Sequence, residues 1–299
     1  NMVLWNQLNT ARKHVVVSAI EHPSILVTLK KLAKHGIECT RVRTDSAGLI
    51  DPQAIDDAIR TDTGLVSVML ANNEIGTIQP VQEIAQMTRS HKIPFHTDAV
   101  QAIGKLPVDV HDLMVDFLTI SGHKFYGPKG AGALYRRPGQ ALQPLIMGGG
   151  QEQNLRSGTE NVAGIAGLGL AAELAQESLG TTREHLLDLE DHFINCLTPA
   201  LSGYVLNGHP ERHLPGLLSI TIPRVPADVL IISLDLAGMA ISNGSACSSG
   251  TVQSSHVLES IGLTEEQNRH TIRISFGRDN TIEEVEQLAE KLIEIAVRR

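Results

Sequence analysis

Cysteine is scarce in this chain of 299 residues, which contains three copies, Cys39, Cys196 and Cys247. No two of them have the close spacing of a zinc-binding pair, and the thirteen histidines form no HExxH pattern. The low, odd count argues against a disulfide scaffold or a zinc ribbon and fits a reducing compartment. We therefore expect no metal site and a cytoplasmic location.

Long apolar runs and excess positive charge are also missing. The nearest approach to a membrane-spanning run, residues 162–172, is short and rich in glycine. The first six residues lack the basic and apolar regions of a signal peptide. The net charge is -8 and the pI about 5.9, which argues against binding nucleic acid or an anionic membrane through general charge. We expect neither a membrane nor a direct nucleic-acid partner.

The first part of the chain alternates apolar runs with helical patterns. Residues 15–20, 65–71 and 93–97 are typical of buried strands, whereas 24–35 and 81–91 repeat apolar residues with a helical period. This alternation predicts an α/β domain with a mostly parallel sheet. From Leu179 onward the pattern changes to a long helix and isolated strands, which predicts a smaller α+β domain. We expect a large domain at 1–179 and a small C-terminal domain at 180–299.

Polar residues follow several of these predicted strands. If the strands are parallel, their carboxyl ends meet at one edge of the sheet, where open α/β sheets bind ligands. The residues expected at that edge are His22, Asn73, Asp98, Gln101, Ser121, His123 and Lys124.

Each of these residues also has a simpler structural explanation. His22, before Pro23, could be a turn residue, and Asn73 could belong to an ordinary turn. Asp98 could cap a helix. Lys124 could be a solvated surface charge like Lys129. Only their predicted convergence favours a site.

A lysine and an aspartate at the ends of neighbouring strands suggest one particular chemistry. A desolvated lysine, here Lys124, can form a Schiff base with an aldehyde. An aspartate, here Asp98, can face a pyridinium nitrogen. Pyridoxal phosphate (PLP) needs both of these protein groups.

A second informative stretch, residues 242–250, is rich in serine and glycine and contains Cys247. Such a loop cannot pack a core, so we expect it to be exposed and mobile. Cys39 lies in an alternating strand pattern and Cys196 in a helical one, so both are expected in or near the core.

Taken together, Ser121–Gly130, Asp98–Gln101 and Ala71–Gly76 resemble the group I (NifS/IscS-like) cysteine desulfurases. These are PLP enzymes of fold type I in the class V aminotransferase family. Arg156–Thr159 and Gly244–Cys247 match the same subgroup.

The resemblance implies a role for each residue around the cofactor ring. Lys124 would hold PLP covalently and move the substrate's α-proton. Asp98 would pair with the pyridine nitrogen, and His22 would stack on the ring. Gln101 would reach the phenolic oxygen, and Asn73 would lie near that oxygen and the substrate.

The resemblance also implies residues for the phosphate, the substrate and the sulfur. Ser121 and His123 would bind the phosphate, while Thr159 would reach the phosphate of the other subunit's cofactor in a homodimer. Arg273 would hold the substrate carboxylate, for which a bidentate guanidinium is suited. Cys247 would be the nucleophile that accepts sulfur from L-cysteine.

The implied product is L-alanine and a persulfide on Cys247, which an acceptor protein, a scaffold or a thiolation factor, would receive. Iron–sulfur cluster assembly, tRNA thiolation and DNA sulfur modification could all use that persulfide. A selenocysteine lyase would use the same cofactor. A transaminase or decarboxylase would leave Cys247 unexplained.

The family has a Gly-Ala-Thr-Glu turn before the first helix of the large domain, and this sequence begins at about that helix. That turn supplies phosphate contacts through a helix N-terminus. We therefore expect the N-terminal part of the large domain to be missing and PLP binding to be weak. A truncated, inactive scaffold that binds sulfur acceptors is the alternative that this departure suggests.

Overall fold

The structure, a computed structural model, describes residues 1–244 and 254–297. It divides into two compact units. The first comprises Asn1–Thr44, Ile50–Ala71 and Gln79–Leu179. The second comprises Asp45–Leu49, Asn72–Ile78 and Gly180–Arg299. Two short segments of the N-terminal half thus belong to the second unit.

The first unit is built on a six-stranded sheet in the order β2-β1-β3-β4-β5-β6. The first five strands are parallel to their neighbours, and β6 runs antiparallel to β5. This confirms the predicted mostly parallel sheet. The strands are β1 (His14–Ser18), β2 (Glu38–Val42), β3 (Thr63–Ser67), β4 (Phe95–Asp98), β5 (Phe117–Ser121) and β6 (Gly132–Arg136).

Alternate residues of β1 pack into different apolar clusters, so both faces of this sheet are covered. Val16 belongs to one cluster, together with Ile55 and Ile84. Val15 and Val17 belong to another. Successive side chains of a strand point to opposite faces, and a parallel sheet needs cover on both. This explains why the strand is a continuous valine run.

Two helices of the first unit, α2 and α3, begin at a side-chain cap followed by proline. His22 caps α2 by accepting a hydrogen bond from Ser24 N, and Asp51 caps α3 in the same way from Gln53 N. Proline is the first helical residue in both. The helices are α1 (Met2–Trp5), α2 (Pro23–Leu32), α3 (Pro52–Ala58), α4 (Val81–Ser90) and α5 (Val162–Glu177).

The second unit has a four-stranded antiparallel sheet in the order β7-β8-β10-β9, with helices packed on a shared apolar core. Its strands are β7 (Val205–Asn207), β8 (Leu217–Thr221), β9 (Ser242–Asn243) and β10 (Thr271–Ser275). Its helices are α6 (Leu179–Leu197), α7 (Ala227–Asp235), α8 (His256–Ser260), α9 (Glu265–Arg269) and α10 (Ile282–Val297). Among the described residues, no helix is long and apolar enough to cross a membrane.

Candidate active site

Three of the parallel strands end beside residues predicted to form the site. β1 ends at Ser18, four residues before His22, and β4 ends at Asp98 itself. β5 ends at Ser121 and continues into a 3-10 turn, Gly122–Lys124. Because β1, β4 and β5 are parallel members of one sheet, these residues lie at the same edge.

Asp98 is the electrostatic centre of this edge. One carboxylate oxygen, Oδ1, accepts a hydrogen bond from Val100 N at 2.9 Å. Part of the residue is accessible, yet the surrounding protein is dense enough that burial is the main cause raising the pKa of Asp98. The Val100 bond and the charges of His22 and Lys124 act in the opposite direction. A cationic partner would therefore be stabilised beside this carboxylate.

His96, two residues before Asp98 on β4, has a buried imidazole that contacts side chains on the neighbouring strands β3 and β5. His96 Nδ1 lies 2.8 Å from Ser67 Oγ on β3, and Nε2 lies 2.9 Å from Thr119 Oγ1 on β5. Burial lowers the pKa of His96 to about 3, so the ring is neutral at physiological pH. His96 and Asp98 lie two residues apart on β4 and so share a face of the sheet. Sequence reasoning missed His96, although this spacing was visible.

His22 is fixed by its role as a helix cap. Its Nδ1 accepts a hydrogen bond from Ser24 N at 3.1 Å and lies 2.9 Å from Ser24 Oγ. The ring is half-buried. His22 can therefore be both a turn residue and a site residue, because the bonds that cap α2 both involve the same ring nitrogen, Nδ1.

The turn after β5 presents a hydroxyl, an imidazole and an amine together. Ser121 Oγ lies 2.9 Å from His123 Nδ1. Gly122 between them is tightly enclosed, since a Cβ there would come within 3.0 Å of Leu168 Cδ1. Lys124 is exposed, not desolvated as the position after a buried strand suggested. Because a 3-10 turn follows β5, the lysine extends beyond the covered part of the sheet.

In the second unit, Arg273 forms a hydrogen bond with Asn73. Arg273 lies on β10, and its Nη1 donates to the backbone carbonyl of Asn73 at 2.9 Å. The neighbouring Glu74 is buried and accepts a hydrogen bond from Ser255 Oγ at 2.5 Å. Burial raises the pKa of Glu74, while Ser255, His256 and Arg273 act against that rise. The two predicted substrate-binding residues thus belong to one cluster.

The remaining predicted residues are Gln101, Thr159 and Cys247. Gln101 is half-buried in the first unit and Thr159 is exposed there. Cys247 lies outside the described residues. Cys39 and Cys196 are half-buried free thiols that pack beside the apolar clusters, as expected.

The chemistry of the first unit's edge fits PLP. Lys124 offers a primary amine, and the raised pKa of Asp98 shows a carboxylate that would gain from a pyridinium. His22 offers an aromatic face, and Ser121 and His123 offer a hydroxyl and an imidazole for a phosphate. Among the described residues, no group of three or more His, Cys, Asp or Glu side chains could hold a metal ion.

Comparison with known proteins supports the same assignment as the chemistry of this edge. Residues 1–288 match the family described as aminotransferase class-V. A cysteine desulfurase IscS from Dictyoglomus turgidum is 44% identical over 290 residues, which cover 96% of this chain and 74% of that protein. Another from Methanosarcina thermophila is 44% identical over 283 residues, covering 95% of this chain and 70% of that protein.

Solved structures agree. A NifS-like protein superposes with a TM-score of 0.91 at 35% identity, covering 99% of this chain and 78% of that one. The fold and the site edge thus define a class-V aminotransferase of the PLP-dependent fold type I. The chain belongs to this family and, within it, to the cysteine desulfurases of the IscS and NifS-like group.

Proposed function

We propose that this chain is a PLP-dependent enzyme that converts L-cysteine to L-alanine and keeps the sulfur as a persulfide on Cys247. The observation that carries the proposal is the placement of Asp98, His22 and Lys124 at one edge of the parallel sheet, with both basic side chains acting on the Asp98 carboxylate. The family membership supplies the reaction.

The cofactor would be held by residues of the first unit. Asp98 would keep the pyridine nitrogen protonated, and His22 would stack on the ring. Gln101 would reach the phenolic oxygen. When bound, PLP supplies an electron sink for the carbanion formed at the substrate Cα.

The phosphate would be held by hydrogen bonds from hydroxyl and imidazole groups. Ser121 Oγ and His123 Nδ1 are already bonded to each other, so the turn after β5 presents them as a pair. Thr159 is exposed on the same unit and would reach the phosphate bound to a second subunit.

The substrate would be oriented by its carboxylate. Arg273 would bind both carboxylate oxygens, and its bond to the Asn73 carbonyl holds the guanidinium in place for that purpose. Asn73 itself would lie near the substrate. Lys124 Nζ would take the proton from the substrate Cα and return a proton to the carbon skeleton that leaves as alanine.

The sulfur step would belong to Cys247. Its thiolate Sγ would attack the substrate Sγ, so that an S–S bond forms and the substrate C–S bond breaks. The electron pair of that bond stays on the substrate carbon, which gains a proton. Cysteine and a protein thiol thus become alanine and a protein persulfide, with no external oxidant or reductant.

A homodimer is part of the proposal. Leu168 and Ala171 of α5 pack beneath Phe125, while the other face of this helix leaves apolar side chains exposed. Those side chains are Val162, Ile165, Leu170 and Leu174. An exposed apolar face next to Thr159 is the surface expected where a second copy would bind.

The persulfide would pass to an acceptor protein in a reducing compartment, for which we propose the cytoplasm, since half-buried free thiols suit such conditions. The acceptor would be a scaffold protein or a thiolation factor, since either could use the persulfide.

Purified protein incubated with PLP and L-cysteine tests this function. We expect one alanine per sulfur transferred, with dithiothreitol releasing that sulfur as sulfide. A solved relative, SspA, is described in complex with cysteine; it is 36% identical with a TM-score of 0.78, covering 94% of this chain and 78% of that one. Turnover of L-selenocysteine but not L-cysteine would instead indicate a selenocysteine lyase.

A further inference from the structure

Glu21, the residue before His22, is a fully buried carboxyl for which the proposed function has no role. Its Oε1 accepts two hydrogen bonds, from Ser18 Oγ at 2.5 Å and from Met69 N at 2.8 Å. Ser18 ends β1, and Met69 follows β3 by two residues. The side chain therefore joins the turn between β1 and α2 to the segment after the neighbouring strand.

That segment is bonded in turn to the strand of Asp98. Leu70, the residue after Met69, donates its backbone N–H to the carbonyl of Asp98 at 2.9 Å. Two hydrogen bonds, made by the backbone N–H groups of the consecutive residues Met69 and Leu70, thus connect the Glu21 side chain to the backbone of Asp98. This connection begins at Glu21, which directly precedes His22 in the sequence, and ends at Asp98.

We propose that Glu21 is a positioning residue that sets the placement of His22 relative to Asp98 by tying the β1–α2 turn to the segment after β3. This inference rests on the proposed function, because both His22 and Asp98 would contact the bound cofactor.

The charge state of Glu21 supports a role beyond packing. Burial raises the pKa of Glu21 to about 8, opposed by the bonds from Ser18 and Met69, and the nearby charge of Asp98 adds to the rise. The carboxyl is therefore mainly neutral at pH 7. A buried acid costs stability, and such costs are typical of functional sites.

The test compares PLP affinity and the His22 ring signals in several variants. Glu21→Ala removes both bonds, whereas Glu21→Gln keeps an oxygen that can accept them. Asp116→Ala is the control matched to Glu21→Ala, because Asp116 is a buried carboxyl that also accepts a backbone hydrogen bond, from Phe95 N at 2.8 Å. It precedes β5, at the end of the strand opposite the site.

We expect Glu21→Ala to shift the His22 signals in nitrogen-15 spectra of the cofactor-free protein and to weaken PLP binding about tenfold or more. Glu21→Gln should restore both, and Asp116→Ala should change neither, even if it lowers the melting temperature. If Glu21→Ala and Asp116→Ala give the same His22 signals and the same PLP affinity, the positioning role is wrong.

Ser18→Ala keeps the inference testable if Glu21→Ala does not fold. It removes one of the two bonds, so His22 signals and PLP affinity should move in the same direction by a smaller amount. Unchanged values in Ser18→Ala would overturn the inference. A wild-type protein that binds no PLP would count against the proposed function instead, while the His22 signals of the cofactor-free variants would still decide the role of Glu21.

Discussion

Arg273 holds its guanidinium against the chain at Asn73, with Nη1 2.9 Å from the backbone carbonyl oxygen. The acceptor is a backbone atom, so the contact does not depend on the side chain at position 73. It fixes the guanidinium of the arginine on β10 through Nη1. A lysine cannot reproduce this geometry, because its ammonium is a point charge on a flexible stem.

Arg273→Lys should therefore raise the KM for L-cysteine about 10- to 100-fold, while kcat changes less. Absorbance of bound PLP should remain as in the wild type, since the role proposed for Arg273 is to bind the substrate carboxylate and not the cofactor. Steady-state kinetics with an absorbance spectrum measures both. An unchanged KM would show that another group binds the carboxylate.

Lys124→Ala should abolish turnover and remove the covalent link to PLP. Borohydride reduction of the wild type, followed by peptide mapping, should place the cofactor on Lys124. Lys105 and Lys129 are the nearest lysines in sequence and serve as internal controls. Attachment at either of them in the wild type would assign the amine to a different residue.

Glu21 should make the stability of the first unit fall as pH rises from about 4.5 to about 8. The folded protein keeps the proton up to about pH 8, whereas the unfolded chain loses it above about 4.5. The folded state binds more protons in this window, so the free energy of unfolding decreases with pH, by on the order of a few kcal/mol.

Glu21→Gln removes this ionisation. The difference in unfolding free energy between wild type and Glu21→Gln, measured by urea denaturation, should therefore shift in favour of the variant between pH 5 and pH 8. A difference that stays constant over this range would mean that Glu21 titrates normally.

Much of the first sheet was predictable from the sequence, because burial on both faces requires continuous apolar strands. The valine run of β1 and the alternation of strands with helices predicted a mostly parallel sheet. Parallel strands in turn predicted that His22, Asp98 and Lys124 lie at one edge of it. The exposure of Lys124 was not predictable, since it depends on the 3-10 turn after β5.

Hydrogen bonds between side chains on different strands could not be predicted from the sequence. His96 forms hydrogen bonds with Ser67 and Thr119 only because the register of three strands aligns them. Glu21 reaches Met69 because the turn after β1 lies beside the segment after β3. Helix α5 was missed because Gly164, Gly167 and Gly169 lower its helix propensity. Roles carried by the resemblance, such as that of Thr159, remain predictions.

Ile165→Glu and Leu170→Glu should convert a dimer to monomers and weaken PLP binding, because both residues are exposed on the apolar face of α5. Val27→Glu on α2 is the matched control, since Val27 is 64% exposed and lies on another helix. Sedimentation velocity reads the assembly. If the wild type is a monomer with full activity, the shared site is wrong.

The proposed reaction requires the sulfur of L-cysteine to pass to Cys247. Mass spectrometry of the protein after a single turnover with L-cysteine, without reductant, measures this directly. We predict one added sulfur atom on the peptide that contains Cys247, in the wild type and in Cys39→Ser and Cys196→Ser. Cys247→Ser should bind PLP normally yet form no alanine. Added sulfur on Cys39 or Cys196, or alanine formed at the wild-type rate by Cys247→Ser, would contradict this requirement.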